Sequence, residues 1–79
     1  IKMSRYYSTS NVTDDDVEKL FPALKQQGLN KELNFLKGVC KSKWGIRGAT
    51  NVYENSINND DVSVNGLFAM ARTLGIEVI

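Results

Sequence analysis

Ser56-Ile-Asn-Asn-Asp-Asp-Val-Ser-Val-Asn-Gly-Leu-Phe-Ala-Met-Ala-Arg-Thr-Leu-Gly-Ile-Glu-Val-Ile79 is the stretch that decides the fold. Ser56 to Asp61 is polar and predicts a loop. Asp61 or Ser63 is suited to accept an orphan backbone N–H at a helix start. Val64, Leu67, Phe68, Ala71 and Leu74 then recur at i, i+3, i+4, i+7 and i+10, an apolar stripe along one helical face. Gly75 sits where a left-handed residue ends a helix, and Ile76 follows where a contact back onto the last turn is common. Residues 76–79 alternate in polarity and predict a short extended tail.

Further upstream the helical signal continues. Thr13 is a good N-cap, and Asp14, Asp15 and Asp16 fall in the first turn, where the helix dipole favours negative charge. Val17, Leu20, Phe21 and Leu24 repeat at helical spacing. Pro22 interrupts them, because a proline inside a helix removes a hydrogen bond and costs about 3 kcal/mol. Either the helix breaks at Phe21 and Pro22 opens a second short turn, or it kinks. Gly28 ends this segment. Asn30 caps the next predicted helix, about Lys31 to Lys43, with Leu33, Leu36 and Cys40 on one stripe and Phe35 and Val39 widening it. Gly38 weakens it by about 1 kcal/mol relative to alanine. Gly45 is the expected stop, and Gly45 to Gly48 reads as a glycine-flanked turn. Ala49 to Asn55 reads as a short helix with Val52 and Tyr53 inward. Residues 1–12 form an N-terminal arm, in which Arg5-Tyr6-Tyr7 is a candidate short strand.

Composition narrows the function classes. The chain has 79 residues, enough for one domain of modest core, 13–79 behind the arm. It has no histidine, which removes the commonest general base and excludes Ser-His-Asp and Cys-His arrangements. Its one cysteine, Cys40, makes no internal disulfide and no usual zinc site, and reads as a small buried hydrophobe. Asn58 to Asp61 lack the ligand spacing of a calcium loop. These features predict a non-enzyme without a cofactor, and the lack of a secretion pattern or a long apolar run points to the cytoplasm and away from membranes. The net charge is only +1, but it is unevenly spread. No acid lies between Glu32 and Glu54, where Lys37, Lys41, Lys43 and Arg47 stand with Trp44 among them. Such a window suits phosphate contacts, with Trp44 or Tyr53 against sugar or base. The bland alternative is a solvated lysine face with Trp44 in the core.

Leu67-Phe-Ala-Met-Ala-Arg-Thr-Leu-Gly-Ile76 resembles the closing helix of lambda-repressor-like (Cro-type) helix-turn-helix domains. Tyr53-Glu54-Asn55 is similar to the end of that family's recognition helix, and Gly45-Ile46-Arg47 to the turn before it. Lys41 stands where the family usually has a small residue. The resemblance implies a DNA-binding regulator that reads DNA as a homodimer, with Arg47, Thr50 and Asn51 toward the major groove and Lys37, Lys41 and Lys43 near phosphates. The competing expectation is a helical protein-interaction module, an adaptor or inhibitor, with Tyr6, Tyr7 and Trp44 as its exposed patch. Both share one fold class: an all-α, compact bundle of three to five short helices with short extended termini.

Overall fold

The structure, a computed structural model, describes residues 12–76. The arm, its Arg5-Tyr6-Tyr7 strand and the extended tail after Ile76 lie outside the described residues. Five helices follow one another: α1 (Asp14–Leu20), α2 (Pro22–Gln26), α3 (Asn30–Cys40), α4 (Gly45–Asn58) and α5 (Val64–Thr73). There is no strand among the described residues. The domain is all-α.

Local chemistry sets most of the boundaries. Thr13 opens α1 with a reciprocal capping box: the Asp16 N–H donates to Thr13 Oγ1 at 3.2 Å, and the Thr13 N–H to Asp16 Oδ2 at 3.1 Å. The chain breaks at Phe21, and Pro22 becomes the first residue of α2, where its missing N–H costs nothing. Three helices end in the same way. At the end of α2, Gly28 is left-handed (φ 71°), its N–H donates to Lys25 O, and the Leu29 N–H reaches back to Leu24 O. At the end of α5, Gly75 (φ 78°) and Ile76 repeat the pattern onto Arg72 O and Ala71 O. At the end of α4 the left-handed residue is Asp60 (φ 56°), with Asp60 and Asp61 donating to Ile57 O and Ser56 O. All three are Schellman closures.

Helix α3 is the centre of the bundle, packing against each of the other four helices, while α1 touches α2 and α4 touches α5. Leu33, Leu36, Val39 and Cys40 from α3 meet Val17, Phe21 and Leu24 on one side, and Ala49, Val52, Leu67, Ala71 and Ile76 on the other. Each fully buried leucine or valine contributes about 1.5–3 kcal/mol relative to exposure. The Phe21 and Tyr53 rings lie 4.9 Å apart, tying the α1–α2 corner to α4. Burial pushes the Cys40 thiol up to about 11, consistent with an inert core residue.

The structure corrects several expectations. Asn30 is not a cap: it lies within α3, and Leu29, the N-cap residue, offers no side-chain bond. Helix α3 ends at Cys40, short of Lys43, because Ser42 folds back there. Its hydroxyl donates to Val39 O at 2.6 Å and accepts the Trp44 N–H at 3.2 Å. Gly45 does not stop α3 but starts α4, its φ of 66° supplying the one left-handed step between turn and helix. Residues 45–48 are thus the first turn of a 14-residue helix that also absorbs Ser56, Ile57 and Asn58 from the expected loop. In α5, Ser63 is the cap, accepting the Gly66 N–H at 3.0 Å, while Asp61 Oδ1 holds the Ser63 hydroxyl at 2.6 Å. The buried face of α5 is rotated from the expected stripe: Gly66, Leu67 and Ala71 are buried, whereas Phe68 and Leu74 are 46% and 40% exposed. Gly66 is the cause. A Cβ there would lie 2.3 Å from the Asp61 carbonyl oxygen, so only a glycine lets the α4–α5 corner close over α5. Leu20, expected on the inner face of α1, is 42% exposed, because the break at Phe21 redirects the chain before the stripe is complete.

Candidate nucleic-acid interface

Helix α4 is the longest element, and its outer surface is divided lengthwise. Gly45, Gly48, Ala49, Val52 and Ser56 face inward. Arg47, Asn51, Glu54 and Asn58 are exposed and recur at i, i+4, i+7 and i+11, a polar flank. Ile46, Thr50, Tyr53 and Ile57 follow the same spacing one residue earlier and form a more apolar flank, on which Ile46 and Ile57 are 38% and 46% exposed. Gly48 leaves room for the Trp44 side chain at the start of the same helix: a Cβ on it would meet Trp44 Cβ at 2.7 Å, with Ile76 and Val39 at ordinary contact distance, 3.6 Å.

The six residues expected to contact DNA separate into two groups. Lys43, Arg47 and Asn51 are exposed on the turn and on the first half of α4, with Thr50 half-buried beside them. Lys43 Nζ lies 5.1 Å above the Trp44 ring, a cation–π arrangement. Arg47 and Asn51 line a shallow depression of about 250 Å³ with Trp44, Gly48, Leu74 and Ile76. Trp44 is half-buried against the core, and its buried indole N–H has no hydrogen-bond partner among the described residues.

Lys37 and Lys41 are placed differently. Lys37 Nζ bonds Glu18 Oε2 at 3.0 Å with only 16% of its side chain exposed, and Lys41 pairs with Asp14 Oδ1. Glu18 also holds Lys25 at 3.4 Å. The bond from Lys41 holds the Asp14 carboxyl below its usual range, and the bond from Lys37 does the same for Glu18. The Asp16 carboxyl is lowered by the backbone N–H of Thr13 in the capping box. Among the described residues, neither Lys43 nor Arg47 joins an ion pair.

Sequence reasoning missed Asp14 and Glu18 as partners of the basic window, although a signal was present. Asp14 and Glu18 are four apart on α1, Lys37 and Lys41 four apart on α3, and the pairs run in opposite order, which fits two antiparallel helices. It also missed the exposed Ile46–Ile57 flank. No three or more of His, Cys, Asp and Glu are grouped to hold a metal ion among the described residues, and no helix there is long and apolar enough to cross a membrane. Comparison with protein-family models, with curated proteins and with solved structures finds no match to this chain.

Proposed function

We propose that the protein is a small DNA-binding regulator whose contact surface is the α3–α4 turn and the first half of α4. The observation that carries this reading is the placement of Lys43, Arg47 and Asn51. They are exposed together in a window without acids from residue 33 to 53, on a helix that follows a short turn. An arginine and an asparagine one helical turn apart are a combination that reads base edges: the guanidinium pairs with the acceptors of guanine, and the carboxamide with adenine. Lys43, ahead of them in the turn, is placed for a phosphate. The first turn of α4 has no side-chain cap among the described residues, so its N–H groups and dipole add to the attraction for a phosphate oxygen. The helix-turn-helix resemblance gives the same assignment for Arg47, Thr50 and Asn51, with the turn shifted to Lys41–Trp44, and extends it to a dimer on a two-fold site.

The test is affinity for duplex DNA measured against salt. Lys43→Glu combined with Arg47→Glu is expected to abolish binding at low salt, and single Lys43→Ala to flatten the salt slope by about one unit. Asn51→Ala is expected to relax discrimination at one base pair by about 1–3 kcal/mol. Affinity unchanged by the double charge reversal overturns the proposal. A second reading, a helical protein-interaction module, draws on the exposed Ile46 and Ile57 flank of α4. A single stoichiometric protein partner lost on Ile57→Asp, with no DNA binding at any salt, would favour it.

A further inference from the structure

The ion pairs between α1 and α3 hold two lysines of the same acid-free window. Lys41 is the C-cap residue of α3 and stands two positions before Lys43, at the entrance to the turn. Lys37 lies one helical turn earlier on the same side of α3. Both ammonium groups are already held, by Asp14 and by Glu18. The two carboxylates repeat every four residues along α1, about 6 Å of helix rise, a spacing comparable to that of neighbouring phosphates along one nucleic-acid strand. Each offers the lysines what a phosphate offers: an anionic oxygen at hydrogen-bond distance.

We propose that Asp14 and Glu18 are built-in competitors for nucleic-acid phosphate, occupying Lys41 and Lys37 in the free protein and giving them up when a strand docks at the α3–α4 turn. The inference rests on the DNA-binding reading. It adds an autoinhibitory contact that sets the affinity. The Asp14–Lys41 pair is solvent-exposed on both sides, 57% and 48%. Pairs of that kind are held weakly and are screened by salt, so exchange for a phosphate is accessible. Lys37 is the more enclosed of the two lysines, and Glu18 divides its charge between Lys37 and Lys25. On release from Lys37, Glu18 therefore keeps a cationic neighbour and is not left unpaired. Asp15, in the same first turn, joins no ion pair among the described residues, so acidity of the turn alone does not define the competitors.

The deciding experiment compares the full chain with Asp14→Asn/Glu18→Gln and with Asp15→Asn/Glu32→Gln, a control of equal charge change. Affinity for one duplex is measured across a salt series, with thermal unfolding followed by circular dichroism to establish that each variant is folded. If the competitor pair is real, Asp14→Asn/Glu18→Gln binds on the order of tenfold tighter at low salt, and its salt slope steepens by about two phosphates' worth. The control then moves much less. A slope and affinity equal to the unaltered protein's, or a control that tightens as much, overturns the inference while leaving the DNA-binding reading in place. Absence of binding by all three proteins overturns both. Single Asp14→Asn, on an exposed side chain, supplies the same comparison with one phosphate's change in slope if the double variant does not fold.

Discussion

The two halves of the bundle are fastened to α3 by different means. On the α1–α2 side the rim is electrostatic: all three ion pairs among the described residues involve Asp14 or Glu18. On the α4–α5 side the attachment is steric. Ala49, Val52, Leu67 and Ala71 are buried in the core, Gly48 and Gly66 have no room for a methyl group beside Trp44 and Asp61 of the same half, and no ion pair among the described residues joins these helices. The contrast teaches where each half can change. Charges at a wet rim can exchange partners at little cost, whereas close-packed glycines admit one arrangement. In the proposed function that division is useful, since the half that presents Arg47 and Asn51 is the rigid one.

Adding volume to the steric half gives the largest expected effect. Gly66→Ala places a carbon against the backbone oxygen of Asp61, which cannot swing away as a side chain would. It should cost about 1–3 kcal/mol, and Gly48→Ala, pressing on Trp44 Cβ, a similar amount. Thermal melting checks both, and a melting temperature unchanged by either variant would show that the α4–α5 corner is not the rigid half. An intermediate effect concerns the helix ends, where α2 and α4 differ in a single residue type. Gly28 closes α2 in the left-handed region without strain, but Asp60 does so at the end of α4 with a side chain. Asp60→Gly should therefore stabilise the protein by up to about 1 kcal/mol, raising the melting temperature by several degrees. A fall in melting temperature would mean that the Asp60 side chain contributes more than its backbone strain costs.

The smallest effect at neutral pH belongs to the electrostatic rim. Raising salt to about 1 M, where the screening length is about 3 Å, should lower the melting temperature by less than either glycine substitution does. Acid makes the rim visible. The carboxyls of Asp14, Asp16 and Glu18 all titrate below their usual range in the folded state. Their contribution is fully present above the unfolded carboxylate range of about 4, and is lost as pH falls through the depressed folded values. Urea melts from pH 7 down to pH 2 should show that loss, and Asp14→Asn/Glu18→Gln should reduce it. A pH dependence identical in the variant would place the acid-sensitive groups elsewhere.

What was legible in the sequence was what short-range chemistry decides. Thr13, Pro22, Gly28, Ser63 and Gly75 each act within one helical turn, and each stands where its residue type predicts. Helix α4 was harder, because its composition argues against it: Gly45, Gly48, Thr50, Asn51, Asn55 and Asn58 are poor helix formers. Packing of Ala49, Val52 and Ser56 onto the bundle overrides that preference. Asp60 hid the end of the helix by standing where glycine is usual. The rotation of α5 depended on Asp61 covering Gly66, a contact between loop and helix that a periodicity count does not contain. For the candidate site, Lys43, Arg47 and Asn51 are exposed, as they would be on a phosphate-facing or on a merely solvated face, while the pairing of Lys37 and Lys41 required knowing that α1 lies against α3.

Trp44 is the chain's single tryptophan, and it sits between the turn, Gly48 and the closing residues of α5 with Lys43 over its ring. Its emission is thus an intrinsic optical reporter for this one junction. Unfolding will move it toward the spectrum of a hydrated indole. A polyanion that draws Lys43 away from the ring will alter its intensity while the fold stays intact, giving a label-free titration signal at the place where the molecule is proposed to act.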